Sequence, residues 1–214
     1  MHNAPHMTHI VTRNAESTAS RTERQSSDWD YEVESIPLLT PEGNPSGFFG
    51  NRRTDTGTVL GAVSSKYGIL QNRTVFAEAE TVFGQMNLKP SKVRHMVTRD
   101  GAQARAIYVF EDQGVTVAEK DDLLLRLTVG NSFDGSLGAY FEVGYVRLVC
   151  TNGMVAPAGR GTNIARKHTG SITSSINENT VKVALNAFKQ GAEAFKGFRS
   201  IRLNQREGLN VLGN

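Results

Sequence analysis

Three turn signals punctuate the middle of the chain, Asp55-Thr56-Gly57, Asp100-Gly101 and Asp134-Gly135, each flanked by β-branched or aromatic runs. Asp beside Gly supplies the positive φ values that tight hairpins demand, so a chain with these signals folds around an antiparallel sheet. Strands are predicted at about 58–64, 92–98, 103–111, 123–131, 138–150 and 162–168, and the alternation of Trp29 to Ile36 marks a further strand where order begins.

Two segments break this period. Val75, Phe76, Ala79, Val82, Phe83 and Met86 recur at helical spacing, which predicts a helix over about 74–86 with Thr74 as its N-cap. Val181, Ala184, Leu185, Phe188, Ala192 and Phe195 form the apolar stripe of a longer helix over about 172–198. Lys182, Lys189 and Lys196 fall seven apart beside that stripe. They either lay their stems over its edge with their heads in water or track phosphates. The fold class is therefore α+β: an antiparallel β-sheet built from hairpins, packed against one short and one long C-terminal helix.

With 38% hydrophobic residues in 214, the chain has material for one sizeable core. Residues 1–28 lack a sustained apolar period and read as a disordered tail, 29–199 as a single domain, and 200–214 as a basic C-terminal tail. The single cysteine, Cys150, rules out an internal disulfide and a thiolate zinc site. No apolar run approaches the roughly 18 residues of a membrane span, and the N-terminus has no secretory h-region. A cytoplasmic protein without membrane contact is expected.

Charge is distributed unevenly. Met1 to Val146 carry 14 Lys and Arg against 18 Asp and Glu, whereas Arg147 to Asn214 carry 10 against 3. A basic final third is either a solubilising face or the footprint of a polyanion. The densest polar stretch, Arg147 to Gly153 followed by Gly159-Arg160-Gly161 and Arg166-Lys167-His168-Thr169-Gly170, combines glycines that admit a phosphate with arginine forks. It reads either as a grip on a nucleic-acid backbone or as a Gly-rich hairpin in which Asn152-Gly153 turns and Arg147 pairs with an acid inside the sheet. Among the aromatic residues, Phe48, Phe49 and Phe133 are the loop candidates for base stacking.

Catalytic signatures are sparse. The chain has no phosphate-binding Gly-x-x-x-x-Gly-Lys-Ser/Thr loop, no His-Glu-x-x-His, no Cys-x-x-Cys and no Gly-x-Ser-x-Gly. Outside the tail, Cys150 has only His95 and His168 as candidate bases, and it ends an apolar strand like a buried structural thiol. Glu111-Asp112 and Asp121-Asp122 read as solvated acids at strand ends, so a metal-dependent nuclease is the least favoured class.

Four ordered blocks carry a resemblance. Asp55 to Asn72, Asn131 to Ser136, Val146 to Gly153 and Arg166 to Gly170 resemble the phage/plasmid-like protein family, a domain of unknown function carried by phages, prophages and plasmids, over about residues 29–190. The chain departs from many members in lacking an N-terminal Trp-x-Gly-Leu-Gly segment and in stopping soon after the long helix. The expected order of helix, hairpins and long helix is also similar, at the level of fold alone, to the core of single-strand annealing proteins, which form rings or filaments on DNA.

Together these features lead to the expectation of a non-enzymatic, ATP-independent single-stranded DNA-binding protein, without cofactor or metal. It forms a homo-oligomeric ring or filament and promotes annealing or recombination for a phage or plasmid in a bacterial cell. Phosphate contacts are expected from Lys92, Arg94, Arg105, Arg147, Arg160, Arg166, Lys167, Lys182 and Lys189. The alternative is a protein-interaction module that binds or inhibits a host factor.

Overall fold

The computed structural model describes residues 28–119, 121–148, 155–166 and 176–200, with side chains outside 148–175 and up to Gly197. Cys150, Lys167, His168 and the Asn152-Gly153 turn therefore lie outside the described residues, as do 1–27 and 201–214.

Eight strands form two antiparallel sheets. The small sheet has the order β1 (Val33–Leu39), β2 (Pro45–Arg53), β3 (Val59–Ser64). The large one runs β4 (Lys92–Thr98), β5 (Gln103–Ala118), β6 (Asp121–Ser132), β7 (Ala139–Leu148), β8 (Val155–Arg166) in simple sequence order. Helix α1 (Asn72–Gln85) joins the sheets and α2 (Glu178–Ser200) follows β8. The α+β architecture with a short and a long, C-terminal helix is the one expected.

The turn signals fall where the hairpins are. Asp55 accepts the Thr56 N–H at 2.8 Å, and Gly57 takes φ 71° between β2 and β3. Gly135 does the same with φ 73° between β6 and β7. The third is not a two-residue hairpin turn: Arg99, Asp100 and Gly101 all have positive φ in a short 3-10 turn joining β4 to β5.

Several boundaries differ from expectation. β1 begins at Val33 rather than Trp29, and β8 runs from Val155 to Arg166 rather than over 162–168. β2 was not anticipated, because Pro-Ser-Gly-Phe-Phe-Gly has turn composition; it is extended because β1 and β3 pair with it on both sides. Thr74 is not the N-cap of α1. That position is Gln71, which makes no side-chain cap bond because its amide is engaged with β1: Nε2 donates to the Val33 carbonyl at 2.8 Å and Oε1 accepts the Val33 N–H at 3.1 Å. α2 starts at Glu178, after Asn177 Oδ1 accepts the Thr180 N–H at 3.0 Å.

One face of the large sheet carries the core. Ala104, Ala106, Tyr108 and Phe110 of β5, Leu123, Leu125, Leu127 and Val129 of β6, and Phe141, Val143 and Tyr145 of β7 are buried against both helices. Phe83 of α1 meets Tyr108 and Phe110 edge-on at 5.1 and 5.4 Å, and Phe188 of α2 stacks on Tyr145 at 5.3 Å. At about 1.5–3 kcal/mol per buried large side chain, this layer supplies the main driving force for folding.

A polar seam fastens the small sheet to the large one. Asn51 donates to the Phe133 carbonyl at 2.7 Å, Asn131 to the Leu70 carbonyl at 2.8 Å and to Asn72 Oδ1 at 2.9 Å, and Asn72 to the Trp29 carbonyl at 2.9 Å. Tyr67 donates to the Ser132 carbonyl at 2.7 Å, and Tyr31 to that of Gly101. All three asparagines are fully buried. Buried amides retain such bonds because leaving one unmade costs about 1–3 kcal/mol.

Candidate nucleic-acid interface

Register decides which of the expected cations share a surface. In the antiparallel β4–β5 pair, Lys92 faces Val109, Arg94 faces Ile107 and Met96 faces Arg105. Directly paired residues project to the same side, so Lys92, Arg94 and Arg105 lie on one face. It is the face turned away from the helices. The pairing continues it through Arg126, Thr128 and Gly130 of β6 and Tyr140, Glu142 and Gly144 of β7, and places Arg160 of β8 opposite Gly144.

Arg94 is exposed, Lys92 is half exposed with its Nζ 3.8 Å from Glu111, and Arg105 is half-buried. Further in, Arg126 is more enclosed and pairs with Glu142 at 3.1 Å. Two glycines make this part flat. A Cβ on Gly144 would sit 2.5 Å from an Arg126 guanidinium nitrogen, and one on Gly130 would collide with the Tyr140 ring, so both long side chains lie across glycine backbone. Val109, Leu124 and Val146 form a small apolar cluster at one end of the same face.

The other expected residues are elsewhere. Arg147 projects to the helix side and its Nε pairs with Asp121 at 2.8 Å, an acid partner of the kind the hairpin reading expects; the Asn152-Gly153 turn of that reading lies outside the described residues. Arg166 pairs with Ala139 at the end of β8. Lys182 and Lys189 are exposed on α2, the former 3.1 Å from Glu178, with Val181, Ala184 and Phe188 buried beneath them. Because α2 packs on the opposite face, these lysines and the hairpin cations do not border one groove.

The stacking candidates are corrected in part. Phe133 is fully buried, with its ring 5.9 Å from Tyr31, and Phe49 is half-buried; Phe48 is exposed, but on the small sheet. Tyr140 and Arg126, which line the β4–β5 side of the sheet, were not anticipated. Their signal was available in β6, where Leu124-Arg126-Thr128-Gly130 alternates with Leu123-Leu125-Leu127-Val129, but Leu-Leu-Leu-Arg-Leu-Thr-Val reads as one apolar run.

Titratable groups in the seam are tuned by structure. Arg53 lies 3.9 Å above the Tyr31 ring and holds Asp55 through two bonds of 2.9 and 2.6 Å, which keeps the Asp55 carboxyl below its usual range. Burial pushes the Tyr67 hydroxyl up to about 12. His95 stacks on Trp29 at 4.4 Å with its Nε2 buried and unbonded, and burial lowers its pKa while Glu80 partly opposes the shift. Glu111 and Asp112 are exposed, whereas Asp121 and Asp122 are engaged by Arg147 and the Thr116 hydroxyl. Among the described residues no three His, Cys, Asp or Glu side chains gather closely enough to hold a metal ion, and no helix is long and apolar enough to cross a membrane.

Neither curated proteins nor solved structures give a match to this chain. A family model does: the one described as Domain of unknown function (DUF932) matches residues 59–213, from β3 through α2 and beyond. With most of its length matched, the chain belongs to the DUF932 family.

Proposed function

We propose that this protein binds single-stranded DNA through its phosphates, without a nucleotide, on the sheet face that carries Lys92, Arg94 and Arg105. The observation that carries this reading is their shared face, turned away from both helices. Beside them Tyr140 and Arg126, the latter enclosed and paired with Glu142, lie flat across glycine backbone and shape the surface without adding a free charge. Arg160, whose backbone pairs with Gly144, belongs to the same proposal. The biological role in this reading is oligomeric strand annealing or recombination for a phage or plasmid, and the cell is bacterial. Arg147, tied to Asp121, and the α2 lysines stand apart from this surface and contribute little to it.

The test is fluorescence anisotropy with labelled single- and double-stranded oligonucleotides across a salt series. For single strands each phosphate contact adds about −0.7 to the slope of log affinity against log salt, so three contacts give about −2. Raising salt from about 50 to about 200 mM then weakens binding by about twentyfold. Arg94→Ala with Arg105→Ala cuts the slope by about two thirds, and Arg147→Ala leaves it unchanged. Absence of binding at low salt refutes the reading. The second reading, a module for a host protein, draws on a different observation: Leu39, Phe48 and Val59 expose apolar surface on the small sheet.

A further inference from the structure

His95 is the one imidazole among the described residues, and the proposed nucleic-acid face makes no use of it. Alternation with Lys92 and Arg94 turns its ring to the helix side of β4, the edge strand of the large sheet. There it is clamped between aromatic rings: the Trp29 indole stacks on it at 4.4 Å with only 14° between the planes, and Phe76 of α1 lies 5.6 Å away. A near-parallel stack directs the in-plane N–H groups of an imidazole past the indole face, so Trp29 covers the ring without accepting a hydrogen bond from it. Nε2 is buried and has no partner. A neutral imidazole tolerates this by leaving that nitrogen without a proton, whereas an imidazolium has to place an N–H there, buried and unpaired.

We infer that the Trp29 indole is a proton-operated cover, seated on neutral His95 and lifted when that ring takes up a proton. The charged groups around the ring are few. α1 supplies Glu80, whose carboxylate favours the protonated ring and accepts the Tyr108 hydroxyl at 3.0 Å. β5 places uncharged Ala106 opposite His95, and Lys92 and Arg94 of β4 itself project to the other face. In the segment that carries Trp29, Asp30 is held by Arg73 at 2.7 Å and Asp28 lies 3.7 Å from Arg53, so each acid has a cation of its own. Burial outweighs Glu80 and keeps the His95 pKa below its ordinary value while the cover is shut. Water that reaches Nε2 removes the penalty, so proton uptake and opening favour each other. What moves is small: Asn72 holds the Trp29 carbonyl, Arg73 holds Asp30 and Tyr31 donates to the Gly101 carbonyl, so the backbone stays pinned and the indole swings. The open form sets an exposed indole beside an imidazolium at the β4 edge. This inference is independent of the nucleic-acid reading, since its residues lie on the helix side of the sheet.

Trp29 is the only tryptophan in the chain, so its emission reports the cover directly. The experiment follows the emission maximum and acrylamide quenching of the full chain from about pH 8 to about pH 5, with far-ultraviolet circular dichroism alongside. Wavelength and quencher access are read rather than intensity, because an imidazolium quenches a neighbouring indole whether or not the cover lifts. The wild type is expected to shift to the red and become more quenchable in a single-proton step centred below the ordinary histidine value of 6.5, with unchanged circular dichroism. His95→Phe is expected to abolish the step. Glu80→Gln, at an exposed position and able to keep the Tyr108 bond through its amide oxygen, is expected to move the step to lower pH. Emission and quenching that stay constant over the range overturn the inference, as does a step that coincides with loss of circular dichroism. A step that survives in His95→Phe, or a midpoint that Glu80→Gln leaves in place or raises, overturns it as well.

Discussion

Asn72→Ala is the sharpest probe of the seam. The side chain is fully buried at the first position of α1, and its amide bridges two elements: Nδ2 donates to the Trp29 carbonyl at 2.9 Å, and Oδ1 accepts from Asn131 Nδ2 at 2.9 Å. Truncation strands a carbonyl and an amide N–H that the rest of the structure keeps from water. At about 1–3 kcal/mol for each stranded group, and less for the Trp29 carbonyl because that residue is only half-buried, the loss should be about 2–4 kcal/mol. Urea unfolding monitored by circular dichroism reads this as a midpoint lowered by about 1–2 M at unchanged slope. Asn131→Ala should be similarly costly, and the double variant should lose about 1 kcal/mol less than the two separately, since each single change already breaks the shared bond. Thr74→Ala serves as the control. Exposed and not a cap, it should stay within about 0.5 kcal/mol of wild type. A loss below about 0.5 kcal/mol for Asn72→Ala, or full additivity with Asn131→Ala, would refute the view that these amides hold the two sheets together.

Three further outcomes follow from the geometry. Gly130→Ala should destabilise by about 1–3 kcal/mol, because its methyl group meets the Tyr140 ring, and adding Tyr140→Ala should recover part of that loss in the same unfolding assay. His95 binds its proton less readily when folded, so the unfolded chain takes up the proton first as pH falls below about 6.5. Stability should therefore decline from that pH downward and level off below the folded pKa, and His95→Phe should remove this part of the slope. Tyr67 has the opposite sense: its hydroxyl ionises in the unfolded chain near pH 10 but in the fold only at about 12, so stability falls across that window. Ultraviolet titration of wild type against Tyr67→Phe should show one late-ionising tyrosine fewer in the variant.

Where local chemistry dictates conformation, the sequence was readable. Asp-Gly turns and the apolar period of α1 place β3, β4, β6, β7 and α1 to within about three residues, whereas β5 runs seven residues further, α2 starts six later and β8 seven earlier than expected. β2 was not legible because its extended form depends on pairing with β1 and β3, with Gly47 absorbing a positive φ of 80° inside the strand. That Lys92 and Arg94 share a face follows from their being two apart in a strand, but the arrival of Arg105 on that face depends on the register of a hairpin closed by three positive-φ residues. Arg147 shows the limit most clearly. It opens the stretch that leads to Thr151-Asn152-Gly153, yet strand alternation sends it to the helix side and Asp121 claims it. The block residues Tyr67, Gln71, Asn72 and Asn131, which carry the resemblance, spend their polar groups on the backbone of other segments.

The Gln71 bridge bears on how the family is cut out of a chain. The matched stretch opens at Val59, but the backbone groups that Gln71 and Asn72 satisfy belong to Val33 and Trp29, and the donor that reaches the Phe133 carbonyl is Asn51. A fragment excised at the family boundary would keep β3 without β2, the strand it pairs with, and would deprive the Gln71 amide and Asn72 Nδ2 of the backbone groups they hold in β1 and at Trp29. The stretch shared as a family and the stretch that folds are therefore offset by about two strands, and a fragment meant to fold needs β1 and β2 as well.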